Sequence, residues 1–335
     1  MKAWEIHNRF GIDSLTLVDK ADPKPGPGQV LLKMSAWSLN YRDLMVVKGL
    51  YNPKLRFPFT PLSDGVGTVS AIGDGVTRVK VGERVAGCFC QRWLDGPLDD
   101  AKAKSALGGG QQGMLAECIV LHEDGVVPVP AHLSDPQAAT LPCAALTAWN
   151  ALIASGNIKA GDTVLIQGTG GVSLFALQFA KLQGARVIAT SGHDDKLARV
   201  LKMGASDGIN YKQTPEWGDK VRECTGGIGV DHVVEVGGAG TLGQSLKAVR
   251  TGGTISLIGV LAGGSQVNPI PILMKNVRVQ GIFVGSRAMF EALNRAVALQ
   301  QLRPVVDKTF AFTEIAAALR HMESAAHFGK ICLSA

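Results

Sequence analysis

No apolar run in this chain is long enough to span a bilayer, and the opening residues, Met1-Lys2-Ala3-Trp4-Glu5, lack the pattern of a secretory signal. Neither a membrane nor export is therefore expected, and the chain reads as cytoplasmic. Closely spaced cysteines are nearly absent as well. The six stand at positions 88, 90, 118, 143, 224 and 332, and only Cys88-Phe89-Cys90 is a close pair. It follows the strand-like Arg84-Val85-Ala86, so buried core thiols are expected in place of disulfides. A basic stripe is missing too. Formal net charge is +6, but lysine and arginine are scattered, which argues against nucleic acid as a main partner. No repeat of solenoid length occurs.

What is present suits a globular α/β protein of one or two domains: 335 residues, 46% apolar and 19% charged, with 41 glycines for many β–α turns. The chain is organised around Thr163-Val164-Leu165-Ile166-Gln167-Gly168-Thr169-Gly170-Gly171-Val172-Ser173. Residues 164–166 read as a buried strand that stops at glycines. Leu174, Phe175, Leu177 and Ala180 then recur with helical periodicity, and residues 185–190 form a second buried strand. Strand, glycine turn, helix and strand make one βαβ unit. Gly168 and Gly170 allow a tight turn and close approach of a pyrophosphate, with the helix N-terminus supplying N–H groups and partial positive charge. The third glycine of that fingerprint is Ser173, at a position that governs helix–strand packing.

Residues 1–122 differ from the centre. Short alternating runs such as 29–34 and 65–69 lie between Pro/Gly turn clusters, a mostly-β, barrel-like pattern. Residues 91–113 lack a period and read as a surface lobe or loop. Asp135-Pro136 opens one long apolar helix through Cys143, Thr147 and Trp149. Beyond the βαβ unit come a helix over 194–203, a short strand at 208–211, and apolar strands at 230–236, 254–259 and 277–284, with a helix at 241–249. This alternation predicts a doubly wound parallel sheet. Helices at 288–301 and 313–322 and a strand at 330–333 complete the chain.

The ordered blocks Pro25-Gly26-Pro27-Gly28-Gln29-Val30, Asn40-Tyr41-Arg42-Asp43, Asp64-Gly65-Val66-Gly67, Gly82-Glu83-Arg84-Val85, Leu146-Thr147-Ala148-Trp149 and Gly168-Thr169-Gly170-Gly171-Val172 resemble the medium-chain dehydrogenase/reductase family over nearly the full length. The resemblance implies a GroES-like, mostly-β catalytic domain, residues 1–122 and 286–335, around a Rossmann nucleotide-binding domain, residues 123–285. It also implies hydride transfer in a cleft between them. Zinc enzymes of the family hold metal with a Cys-x-x-Asp cysteine, a His-Glu pair and a later cysteine. Here Asn40 and Ser63-Asp64 stand at the first two places, and only Cys143 matches. A catalytic zinc needs three protein ligands, and the structural four-cysteine cluster is also missing, so no metal is expected.

What remains resembles the zinc-free quinone oxidoreductase and enoyl reductase branches, whose segment often reads Asn-aromatic-x-Asp. Quinones and α,β-unsaturated carbonyls are already electrophilic, so orientation and hydrogen-bond donors can serve in place of a metal. Asn40, Tyr41 and Tyr51 are the catalytic candidates. Asn40 is placed on the nicotinamide or on the substrate, and Tyr41 has packing in the barrel as its alternative. Tyr51 follows Gly49-Leu50 as an active-site tyrosine does in quinone oxidoreductases, while a second tyrosine of those enzymes would fall at Met45. Asp43 reads as a structural acceptor.

An NAD-specific site should show an acid after the second strand, where this chain has Ser191-Gly192-His193-Asp194-Asp195-Lys196. His193 is the one histidine of seven in a functional place. In quinone oxidoreductases a lysine and a later Asn-Tyr tyrosine hold the 2′-phosphate, and Lys196 and Tyr211 match them. Asp194 and Asp195 count against this, but also suit a helix start. NADP(H) is therefore chosen ahead of NAD(H), with a solvated helix charge as the alternative for Lys196. By position, Thr147, Val236, Gly259, Val260, Phe283 and Val284 should also line the cofactor. Lys330 matches a basic residue near the pyrophosphate or nicotinamide, or is an exposed strand charge. The leading expectation is an NADPH-dependent reductase of quinones or activated double bonds. A zinc-free alcohol dehydrogenase or carbonyl reductase, and a non-catalytic NADPH-binding redox sensor, are the alternatives. Residues 276–283 read as an edge strand that relatives pair across a twofold axis, so a homodimer is expected.

Overall fold

The computed structural model of the chain describes residues 1–259 and 266–335. They divide into two compact units, Met1–Leu146 with Gly285–Ala335, and Thr147–Val284.

In the first unit β1 (Lys2–Ile6) and β2 (Leu15–Asp19) form an antiparallel pair. β3 (Gln29–Ser38) buries Val30, Leu32 and Met34 while Lys33 faces solvent, the two-residue period of a half-buried strand. After β3 comes α1 (Tyr41–Val47), whose first turn is closed by Asp43: its Oδ2 accepts from the Asn40 backbone N at 2.8 Å. β4 (Asp64–Ile72), β5 (Arg84–Gly87), β6 (Cys118–His122) and β7 (Val126–Pro128) follow. Residues 91–113 are more than a surface lobe. They hold a short helix, α2 (Asp100–Ala103), and fold Ser105, Ala106 and Leu107 into the interior.

The long helix expected from Asp135 is broken. α3 (Asp135–Ala138), capped by Ser134, gives way to a wide π turn at Leu141–Ala145, then to α4 (Leu146–Trp149) and a second π turn at Asn150–Ala154. Pro142 has no N–H for the α-helical ladder, which accounts for the first break.

The second unit alternates strand and helix. β8 (Thr163–Gln167), α5 (Gly171–Leu182), β9 (Arg186–Ser191), α6 (Asp194–Lys202), β10 (Asp207–Asn210), α7 (Trp217–Cys224), β11 (Val230–Glu235), α8 (Ala239–Ala248), β12 (Val249–Leu257), α9 (Ile270–Met274) and β13 (Arg278–Gly281) run in that order. All six strands are parallel, ordered β10-β9-β8-β11-β12-β13. This is the doubly wound nucleotide-binding arrangement, with its switch point between β8 and β11. Leu165, Ile188, Val233 and Ile255 from the sheet pack with Trp217, Val221 and Leu246 from its helices.

The chain then re-enters the first unit with α10 (Arg287–Leu299), β14 (Val306–Ala311), α11 (Ile315–Glu323) and β15 (Lys330–Ser334). β15 lies antiparallel to β3, with Cys332 opposite Ser38, and parallel to β14. The seven-stranded sheet runs β14-β15-β3-β4-β5-β7, with β6 also on β3. Its core gathers Trp37, Leu39, Leu62, Met114, Phe310, Phe312 and Leu319.

Candidate active site

In the second unit, strand C-terminal ends carry most of the candidate residues. Gly168 follows β8 with φ +67, a left-handed conformation that favours glycine. Among the described residues, a Cβ added at Gly168 or Gly170 would meet nothing within 4 Å, so there is room beside the turn at those two positions, while Thr169 between them is buried. α5 starts at Gly170 without a side-chain cap, leaving the N–H groups of its first turn, from Gly171 and Val172 on, uncovered by a side chain. Ser173 explains its own departure from glycine. It is buried, and its hydroxyl donates to Gln167 O at 2.6 Å, tying helix to strand.

A buried network under this turn escaped sequence reasoning. Gln167 Nε2 donates to Glu235 Oε2 and to Ser245 Oγ, both at 2.7 Å. Glu235 Oε1 accepts from Gly237 N at 2.8 Å, Gly238 N at 2.9 Å and Thr241 Oγ1 at 2.5 Å, and Ser245 Oγ also bonds Oε2. Five donors thus satisfy a carboxylate that has no exposed surface. The network fixes the turn at Val236. Gly259, after β12, packs directly against this turn, since a Cβ there would stand 1.8 Å from Val236 O. The only signal for it was one acid, Glu235, ending an apolar run.

At the end of β9, Ser191 is buried and its Oγ accepts from His193 N at 3.3 Å, while His193 itself is exposed. Lys196 is 8% exposed, which removes the reading of a solvated helix charge. Tyr211, after β10, places its hydroxyl 2.8 Å from where a Cβ of Gly192 would stand. Asp194 is occupied elsewhere: its carboxylate accepts from Asn210 Nδ2 at 2.7 Å and Gln213 Nε2 at 3.1 Å. Thr147 is buried at the start of this unit. Val284 has φ +51, a strained conformation for a β-branched residue, and its carbonyl is held by Asn150 Nδ2 at 2.8 Å. Phe283 is half-buried beside it; Val260 lies outside the described residues.

In the first unit Asn40 and Lys330 come together. Lys330 is buried, so it is no exposed strand charge: Nζ donates to Leu39 O at 2.5 Å and to Asn40 Oδ1 at 2.6 Å. An ammonium can only donate, so Asn40 must turn its amide nitrogen the other way, to Ser63 Oγ at 3.3 Å. Ser63 Oγ in turn donates to Asp64 Oδ1 at 2.9 Å. Burial raises the pKa of Asp64, while Lys330, the Asn40 amide, Ser63 and Arg42 oppose that rise. Asp43, also without exposed surface, is pushed up to about 6, chiefly by burial, with Arg42 lowering it and Asp64 raising it. Burial likewise pushes up the Cys143 thiol, and Cys88 and Cys90 are buried free thiols at about 12. Tyr41 and Tyr51 stay 45% and 40% exposed, so Tyr41 is not packed into the barrel. The guanidinium of Arg42, which sequence reasoning left without a role, lies over the Tyr51 ring at 4.7 Å. Among the described residues no three His, Cys, Asp or Glu side chains gather as a metal site, and no helix is long and apolar enough to cross a membrane.

Residues 26–131 match the family described as alcohol dehydrogenase GroES-like domain, and residues 171–298 the family described as zinc-binding dehydrogenase. A zinc-type alcohol dehydrogenase-like protein of Schizosaccharomyces pombe is 43% identical, over 98% of this chain and 97% of its own. The chain belongs to the medium-chain dehydrogenase/reductase family. This medium-chain oxidoreductase is also 30% identical to the quinone oxidoreductase of Rattus norvegicus, over 99% of this chain and 97% of that one. Among solved structures, an NAD-dependent alcohol dehydrogenase superposes with a TM-score of 0.91 at 34% identity, covering 100% of both chains. A mycobacterial protein solved with NADPH superposes at 0.84 and 27% identity, again over 100% of both.

Proposed function

We propose that this chain is an NADPH-dependent reductase that transfers hydride, without zinc, to a quinone or an α,β-unsaturated carbonyl. The observation that carries the reading is the hydrogen-bonded chain Lys330–Asn40–Ser63–Asp64, in which Asn40 and Ser63-Asp64 stand at the places that the resemblance assigns to metal ligands in zinc relatives. An ammonium 2.6 Å from Asn40 Oδ1 opposes a dication there, and an amide, a hydroxyl and one thiol held protonated by burial are poor zinc donors. These residues do not fit zinc. The nucleotide fits better. The turn at Gly168–Gly171, with room beside it and the uncapped start of α5, suits a pyrophosphate, and Ser191, His193, Lys196 and Tyr211 suit a 2′-phosphate. The diversion of Asp194 to Asn210 and Gln213 favours NADPH over NADH. Thr147, Val236, Gly259, Val260, Phe283, Val284 and Lys330 complete the proposed cofactor contacts.

When bound, the reduced nicotinamide supplies hydride to an already electrophilic carbon. What the protein adds is orientation and hydrogen-bond donation to the oxygen that gains negative charge. Tyr51 and Tyr41, whose rings reach the surface, are proposed as those donors, beside the fixed amide of Asn40. A second copy pairing at β13 is proposed as the partner in solution.

The name of the fission-yeast relative, a zinc-type alcohol dehydrogenase-like protein, favours alcohol dehydrogenase chemistry as a second reading. Here it is reduction of a saturated carbonyl without zinc, because Asn40 and Ser63 are poor zinc donors. The deciding experiment is a panel of quinones, enones, aldehydes and secondary alcohols with NADPH, with and without chelator, beside elemental analysis. Turnover confined to quinones or enones, unchanged by chelator and without stoichiometric zinc, is expected. Activity on alcohols alone favours the second reading. Tight NADPH binding with no turnover favours a redox sensor.

A further inference from the structure

We infer that Arg42 is a positioning residue for Tyr51: held against the buried Phe89 ring and in contact with the Tyr51 ring, its guanidinium sets the ring of Tyr51 and the direction in which that hydroxyl points. The inference rests on the donor role proposed for Tyr51.

Four contacts support it. Arg42 Nη1 donates to Leu107 O at 2.9 Å, which anchors the fork to the 91–113 segment. The guanidinium carbon lies 4.7 Å from the centroid of Phe89, a ring with 1% exposure that is immobile in the core. The same carbon also lies 4.7 Å from the centroid of the Tyr51 ring. Nη2 packs on Gly109, where an added Cβ would stand only 1.9 Å from it. One anchored cation thus contacts a buried ring and a half-exposed one. Tyr51 itself sits after a turn, its backbone N donating to Met45 O at 3.3 Å. Among the described residues, the guanidinium is the group its ring stacks against.

The polar accounting points the same way. Arg42 Nε and Nη2 are buried without acceptors, although Asp43 and Asp64 lie near enough to feel the charge. Buried N–H groups left unpaired cost stability, and a residue serving stability alone is usually paired. Here the planar face is presented to aromatic rings, where a delocalised cation is attracted by the ring quadrupole. Lysine, a point charge without a plane, keeps the electrostatic support of Asp43 and Asp64 but cannot clamp a ring.

The test is a double-mutant cycle of Arg42→Lys and Tyr51→Phe, the second keeping the ring and deleting only the hydroxyl. Each single variant is expected to lower kcat on the best panel substrate by about three- to thirtyfold, with the NADPH Kd unchanged. The double variant should be no slower than Tyr51→Phe alone, because Arg42 acts through the missing hydroxyl. Losses that multiply, or an Arg42→Lys enzyme with native kcat, overturn the inference. A silent Tyr51→Phe instead removes the proposed role of Tyr51, and is recognised as that separate failure.

A readout independent of activity comes from the low tyrosine count. With only three tyrosines in the chain, ring NMR signals of labelled protein can be assigned by deleting Tyr51. Arg42→Lys should shift the Tyr51 ring signal and leave those of Tyr41 and Tyr211 in place; an unmoved signal overturns the clamp. Should Arg42→Lys fail to fold, Gly109→Ala displaces Nη2 instead. The same shift and the same non-additivity are expected from it.

Discussion

Lys196 is a cation buried in the first turn of α6, between the exposed Asp195 and the buried Leu197. If it meets the 2′-phosphate, Lys196→Ala should weaken NADPH far more than NADH, which lacks that group. One charge-assisted hydrogen bond corresponds to roughly 1.5–3 kcal/mol, about one to two decades in Kd. Ser191, His193 and Tyr211 remain, so the preference should narrow, not vanish. Fluorescence titration of both nucleotides checks this; equal weakening of the two would reopen the choice of NAD(H). Asp43 offers a test by pH. Its folded pKa of about 6 lies above the ordinary value of 3.8, so between those limits the folded state holds a proton that the unfolded chain has released. The stability contributed by Asp43 is thus present below about pH 4 and is lost as pH rises through about 6. A displacement of that size is worth on the order of 3 kcal/mol. Asp43→Asn can still accept from the Asn40 backbone but does not titrate. The unfolding free energy of the variant minus that of the native protein should therefore grow, by up to about that amount, from pH 4 to pH 7. Denaturant melts at a series of pH values measure it, and a flat difference would contradict the burial argument.

Among the described residues, β13 is an edge strand of the parallel sheet with no partner on its outer side, and α9 just before it leaves Ile270, Leu273 and Met274 at 60%, 79% and 75% exposure. An uncovered edge beside apolar side chains invites another strand. A dimer is expected by light scattering at micromolar concentration, and a monomer there would contradict pairing at β13. Elements were legible wherever one period held without interruption. Both strands of the β8–α5–β9 unit were read to within one residue because glycines bound them and buried residues fill them. β14 went unread because Asp307 and Lys308 break its alternation and most of its residues keep some exposure. The π turns around Cys143 were also missed, since a wide turn keeps the apolar composition of the helix it interrupts.

At the scale of the molecule, the division of labour between a mostly-β unit and a Rossmann unit was readable because β–α alternation and turn-rich alternation differ in composition. The polar cluster was only half readable. Its members Asn40, Ser63 and Asp64 were noticed as replacements for metal ligands, but their bonding to Lys330 depends on β15 lying against β3 with Cys332 opposite Ser38. No local spacing encodes that register. Glu235 with its five donors, and Arg42 against its rings, were hidden for the same reason: their partners lie in other segments of the chain.

The pairing of β15 with β3 also sets a clock. Lys330 follows its partner Asn40 by 290 residues. At about 5–20 residues per second, a ribosome takes roughly 15–60 s to cover that distance. The nucleotide-binding unit, Thr147–Val284, is one continuous stretch and is complete before then. The first unit is not. Through that interval its sheet lacks β14 and β15, leaving the Ala36–Ser38 end of β3 without its β15 partner, and Asp43 and Asp64 lack the charge of Lys330. On the ribosome the central unit is therefore complete while the sheet of the first unit is still open to water, and the contact between Asn40 and Lys330 forms last.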